Sequence, residues 1–231
     1  MKEHKQKVAF FDIDGTVFRS SLFIELVEKL ISQEVFPKGS DEAYLAKREL
    51  WANREGTYDA YISAVIETFI THLKGVHYGE FADLGQLVVA SNSKKVYRYT
   101  RDLLEELKKE GYYTIAISQS PKAILDQFCK NYGFDKVYGR MYEIGPTDRF
   151  TGVVIDEHLI QNKANIVTRV FERNDFNEKD SIAVGDTEGD IPMLESVDKQ
   201  ICFNPNSVLH AHAKRMDWKV VVERKDMIYT L

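Results

Sequence analysis

Cysteine is scarce. Cys129 and Cys202 are the two in 231 residues, too few for a disulfide framework and without the paired spacing of a zinc site, so free thiols in a reducing compartment are expected. Long apolar runs are missing too: no stretch of about 18 apolar residues could cross a bilayer. The apolar run after the basic start, residues 8–11, stops at Asp12 and is too short for the middle of a secretion signal. A soluble, cytoplasmic chain without a membrane partner is therefore expected. Neither sign of charge dominates. Thirty-six acidic against thirty-one basic residues leave a formal charge of −5, which gives no global electrostatic reason for a nucleic-acid partner. Repeats and low-complexity segments are absent, and 44% hydrophobic with 29% charged residues is the composition of an ordinary globular protein.

What is present is a recurring pattern of short apolar runs. VAFFDI, residues 8–13, is followed at once by Asp14-Gly15-Thr16 and reads as a buried parallel strand ending in a turn. Similar runs at residues 112–117, 181–184, 201–203 and 219–222 are mostly separated by segments of helical periodicity. That alternation predicts an α/β fold, a Rossmann-like core with a mainly parallel sheet. Residues 96–110 read as a crossover helix stopped by Gly111. Ser120-Pro121 reads as the N-cap and first residue of a helix that ends near Gly133. The segment MYEIGPTDRFTGVVI, residues 141–155, reads as two antiparallel strands around Gly145-Pro146.

Between the first two strands lie residues 19–95 with no convincing strand. Leu22, Phe23, Leu26, Val27 and Leu30 recur at helical spacing, as do Tyr58, Tyr61, Ile62, Val65, Ile66 and Phe69. A crossover needs far fewer residues, so the segment is expected to be an inserted α-helical cap. The expected organisation is a catalytic core of residues 1–18 and 96–231 and a cap of residues 19–95.

Asp12 and Asp14, at i and i+2, send their carboxylates to the same side of an extended backbone, at the strand end where α/β sheets bind ligands. One can act as nucleophile and the other as proton carrier if a cation offsets their repulsion. In SIAVGDTEGD, residues 181–190, another apolar run ends in acids. With both strands in one sheet, Asp186 can face Asp12 and Asp14 and complete an all-oxygen site suited to Mg²⁺. Asp190 either anchors that loop, holds a metal-bound water, or caps the next helix. Ser118 follows the strand at 112–117, where a hydroxyl and backbone N–H groups could hold a phosphate oxygen, although a serine there can equally cap a helix. Lys163 opens the helix at 162–173, a poor place for a cation on dipole grounds unless it points inward at anions; otherwise it is a surface lysine.

The order of these pieces resembles the haloacid dehalogenase superfamily: D-x-D-G-T on strand one, a serine after strand two, a lysine opening a later helix, and G-D-T-x-x-D on another strand. The resemblance spans residues 8–194, and the cap position with GDTEGDIPML is most similar to the phosphoserine-phosphatase-like branch. It implies a hydrolase, specifically a phosphatase acting on a small phosphorylated metabolite. It also implies that Asp12 attacks phosphorus to give an aspartyl-phosphate and that Asp14 serves as general acid, then base. Ser118 and Lys163 would bind the phosphoryl group. Asp12, the backbone carbonyl of Asp14, and Asp186 would bind Mg²⁺, with Asp190 in support. One position departs from the branch: the glutamate that meets the substrate amino group in phosphoserine phosphatases is Ser21 here by ungapped count, which argues against phosphoserine. Arg19, Arg48 and Arg54 are candidate readers of an anionic substrate. A phosphotransferase or mutase, or a non-catalytic phosphate-binding module, are the alternatives.

Overall fold

The computed structural model describes residues 5–231. In chain order the first half contains β1 (Gln6–Phe11), α1 (Leu22–Ser32), α2 (Glu42–Ala52), α3 (Tyr58–Leu73), α4 (Tyr78–Asn92), α5 (Arg98–Lys109), β2 (Tyr113–Pro121) and α6 (Lys122–Tyr132). The second half contains β3 (Lys136–Ile144), β4 (Phe150–Ile155), α7 (Glu157–Ile160), α8 (Lys163–Arg173), β5 (Phe176–Gly185), α9 (Ile191–Glu195), β6 (Lys199–Phe203), α10 (Ser207–Met216), β7 (Lys219–Arg224) and β8 (Met227–Thr230). Two compact units result. One takes the chain up to Ser20, then Ser93–Arg140 and Asp156–Leu231; the other is Ser21–Asn92 with Met141–Ile155.

In the first unit the strands run in the order β3-β2-β1-β5-β6-β7-β8. They are parallel from β3 to β7, with β8 antiparallel on β7. The chain moves outward from β1 to β2 and β3, then returns to place β5 on the other side of β1. Open α/β sheets bind ligands at such a reversal, outside the carboxyl ends of the strands. The central strand is buried on both faces, which explains its unbroken apolar run: Phe10 meets Phe171 with ring centroids 5.9 Å apart, while Phe11 meets Phe134 at 5.7 Å. Successive side chains point to opposite faces. Burial of each ring contributes roughly 1.5–3 kcal/mol, so the strand that carries the acids is anchored from both sides.

The second unit is built around Phe69 of α3, whose ring lies within 5.0–6.2 Å of Phe23, Phe36, Phe81 and Tyr142. Ser21 caps α1 by accepting from Ile24 N, and Thr57 caps α3 by accepting from Ala60 N. Helical periodicity located α3, but its face is rotated from the expected one: Tyr61, Val65 and Phe69 are buried, Ile62 and Ile66 only half so, and Tyr58 is exposed. The sequence pattern places residues 141–155 in the core. They pair as β3 and β4 in antiparallel fashion, as expected, but cluster with the helices, because Phe150 and Tyr142 pack on Phe81 and Phe69. No helix among the described residues is long and apolar enough to cross a membrane.

Candidate active site

Asp12 follows β1 and is tied to the neighbouring strand, its backbone N–H donating to Val184 O at 2.9 Å. The chain then turns back on itself, with Gly15 N–H bonded to Phe18 O and Ser20 O. Gly15 has φ +85°, and a Cβ there would lie 2.1 Å from Asp186 Oδ2. Glycine is thus required twice over, for its conformation and for the approach of the Asp186 carboxylate. Thr16 donates to Asp186 Oδ1 at 3.2 Å, and the Thr16 carbonyl accepts from the buried Thr100 hydroxyl at 2.9 Å. The turn is therefore fixed to both β5 and α5.

Lys163 sits at the first position of α8 and is buried, with its Nζ 2.5 Å from Asp12 Oδ1 and 2.6 Å from Asp190 Oδ1. Burial by itself would push the ammonium down, but Asp12 and Asp190 outweigh it and hold Lys163 above the ordinary lysine range. Asp190 is engaged on both oxygens: Oδ1 accepts from Lys163, while Oδ2 accepts from the backbone N–H groups of Asp186 and Thr187. It therefore joins the β5 loop to α8, beyond the helix-capping alternative. Asp190 caps α9 by position alone, without a side-chain bond.

One carboxylate oxygen from each of Asp12, Asp186 and Asp190 lies within 4.8 Å of the other two. Burial, opposed by Lys163 and reinforced by Asp190 and Asp14, pushes the Asp12 carboxyl up to about 7. Burial also raises Asp186 well above the carboxylate range, with Asp12 and Asp190 adding to it. Asp12 Oδ2 is buried without a hydrogen-bond partner. An unsatisfied buried carboxylate oxygen, next to a second carboxylate destabilised in the same way, is a hard donor pair whose charge Lys163 offsets only in part. Mg²⁺ fits such a set.

Asp14 faces differently. Its Oδ2 accepts from the hydroxyls of both Ser118, at 2.5 Å, and Ser120, at 2.7 Å. Ser120 N–H in turn donates to Ser118 Oγ at 2.9 Å. The expected helix cap at Ser120 is therefore not made. α6 begins at Lys122 without a side-chain cap, because the β2–β3 register shifts between Ile117 and Pro121 and the serine is drawn to the carboxylate instead. Ser118 was expected to hold phosphate; here its hydroxyl is committed to Asp14. Sequence reasoning missed Ser120, although the spacing Ser-x-Ser at a strand end contained the signal. Of the candidate anion readers, Arg48 pairs with Glu28 at 3.2 Å, and Arg19 lies over the Tyr97 ring at 5.7 Å. Arg54 occupies a left-handed turn with φ +66° after α2. None of the three belongs to the carboxylate cluster.

The family model described as haloacid dehalogenase-like hydrolase matches residues 9–195. A phosphoserine phosphatase of Mycobacterium tuberculosis is 24% identical over 217 residues, covering 92% of this chain and 69% of that protein. A histidinol-phosphatase of Neisseria meningitidis serogroup C is 23% identical over 225 residues, covering 94% and 98% respectively. Among solved structures, a phospho-aspartyl intermediate analogue of phosphoserine phosphatase superimposes with a TM-score of 0.61 at 20% identity, over 96% of this chain and 95% of that one.

Proposed function

The chain belongs to the haloacid dehalogenase-like hydrolase family, and from that premise we propose that it is a Mg²⁺-dependent phosphatase that hydrolyses a small phosphate monoester through an aspartyl-phosphate on Asp12. The observation that carries the reading is the buried carboxylate of Asp12, one oxygen on Lys163 and the other without a partner. The unpartnered oxygen is left for the cation, and the one beside Lys163 is the oxygen that attacks. The two named relatives supply the reaction class; each is a phosphatase by name, with a different alcohol as leaving group.

Asp12, Asp186 and the backbone carbonyl of Asp14 would hold the cation. It supplies positive charge that keeps the two raised carboxylates ionised and offsets charge on the phosphoryl oxygens. Asp12 attacks phosphorus as the ester P–O bond breaks, and Asp14 gives its proton to the departing alcohol oxygen. Asp14, now a carboxylate, takes a proton from the water that attacks the acyl-phosphate, which releases phosphate and restores Asp12. Lys163 stabilises phosphoryl charge while Asp190 holds it in place. Ser118 exchanges its bond to Asp14 for a phosphoryl oxygen when substrate arrives, and Ser120 remains on Asp14.

The helical unit, residues 21–92 with Met141–Ile155, is read as the cap that selects the leaving group. Ser21 is buried as the α1 cap, so the position that would carry an amine-binding glutamate is structural here, and the substrate is read as something other than phosphoserine. The test is release of inorganic phosphate from p-nitrophenyl phosphate with Mg²⁺ and after exhaustive chelation. Turnover only with the metal is expected. Turnover that survives chelation removes the metal assignment, and absence of phosphate release with any ester leaves a binding module. Transfer to an added alcohol in preference to water would indicate a phosphotransferase.

A further inference from the structure

Arg140 lies on β3 two strands from Asp12, and sequence reasoning gave it no role. Its Cα is paired with that of Pro121, at the carboxyl end of β2 where Ser118 and Ser120 hold Asp14. Gly139 brings this part of β3 against the loop: a Cβ there would lie 3.0 Å from Ser120 O, 2.8 Å from Lys122 Cα and 2.6 Å from Leu125 Cδ1. Any larger residue at 139 would push β3, and Arg140 with it, away from the serine loop.

The Arg140 guanidinium is under-used. One bond is made, Nη2 donating to Gln119 Oε1 at 3.2 Å, and Nε is buried with no partner. Among the described residues no carboxylate pairs with it. A guanidinium carries five donors in a planar fork, and leaving a buried donor unsatisfied is costly. The charge most readily kept under those conditions is one that has an anion to meet, and two parallel N–H groups match an oxyanion's geometry. Gln119 stands between the two serines that bind Asp14, and with Asp14 read as the proton donor the departing alcohol oxygen would be beside this loop.

We propose that Arg140, steered by Gln119, is a specificity-determining residue that binds an oxyanion, a carboxylate or second phosphate, on the alcohol portion of the substrate. The proposal rests on the phosphatase reading for the placement of the ester, but its test does not require turnover. Dissociation constants are measured by calorimetry with Mg²⁺ present for two homologous series, ω-phosphonoalkanoates and alkylphosphonates of equal chain length. In the unaltered protein one chain length of the carboxylate series should bind about 10–100-fold tighter than its uncharged counterpart, the value of one charge-assisted bidentate contact.

Arg140→Met should bring that ratio to about one. Gln119→Glu, a change at an exposed side chain that gives the guanidinium an internal counter-ion, should do the same without removing Arg140. A ratio near one at every chain length in the unaltered protein, or a ratio that survives both substitutions, overturns the proposal. Failure of the phosphatase reading is seen separately, as absence of phosphate release from any ester while the binding ratio is intact.

Discussion

Removal of the divalent cation should make this protein progressively less stable as pH rises from 5 to 7. The Asp12 carboxyl stands at about 7 in the folded chain against an ordinary 3.8. A carboxyl raised in this way contributes stability that is fully present below its unfolded value and is lost as pH rises through its folded value. Between pH 5 and 7 the native state therefore keeps a proton that the unfolded state has released, and stability falls by ~1.4 kcal/mol per pH unit. Two units give ~3 kcal/mol, which for a chain of this size lowers Tm by about 6–12 °C. Asp186, raised by burial and by its carboxylate neighbours, adds in the same direction. Lys163 adds no slope in this window: held above its ordinary 10.5, it is charged in both states until much higher pH. Bound Mg²⁺ takes the place of the proton, so its stabilising effect should be large at pH 8 and small at pH 5. Thermal unfolding followed by circular dichroism at pH 5, 6, 7 and 8, in chelator and in 10-fold excess Mg²⁺, measures both quantities. A chelated Tm that is flat or rises over this range, or an equal Mg²⁺ shift at pH 5 and pH 8, would refute the reasoning.

Asp12→Asn should lower turnover by roughly 10⁴-fold or more, since an amide cannot form the acyl-phosphate. In chelator the same variant should show a smaller fall in Tm between pH 5 and 7, because Asp12's share of the titration is gone and only that of Asp186 is left; persistence of the full slope would assign it elsewhere. Ser120→Ala should reduce kcat on alkyl phosphates by about 10-fold or more while p-nitrophenyl phosphate, whose leaving group needs little protonation, loses much less. Equal losses on both esters would deny Ser120 a part in placing Asp14, and recovery in Ser120→Thr would support it. Phe69→Ala should cost about 3–5 kcal/mol, read as a fall in the denaturation midpoint, because four aromatic rings meet that side chain; a change below 1 kcal/mol would show that the second unit's packing is misjudged.

How far the site could be read in advance depended on the range of the forces that place each residue. Asp12 and Asp186 were legible because a buried strand that ends in acids is a local pattern, and two such strands in one parallel sheet have their ends at the same edge. Lys163 was legible as a contradiction, a cation at a helix start, which the structure resolves by Asp12 and Asp190. Ser120 was not, because Ser-Pro before an apolar helical stretch satisfies every local rule for a helix start. Only the carboxylate of Asp14, 106 positions away, draws the hydroxyl elsewhere. The same limit governs the arginines: Arg48 looked available until α1 placed Glu28 against it, and Arg140 looked ordinary because the lack of a counter-ion is visible only when every neighbour is known. The hairpin at 141–155 was recognised as two strands from its turn residues, but its association with the helices depends on Phe69, Phe81, Tyr142 and Phe150 meeting across more than 60 positions of sequence. Motifs therefore marked the acids and the lysine that the fold gathers at one edge of the sheet, whereas the groups that hold them in position are chosen by long-range competition for hydrogen-bond partners and counter-ions, and under the proposed function it is among those positioning groups that substrate preference has room to differ.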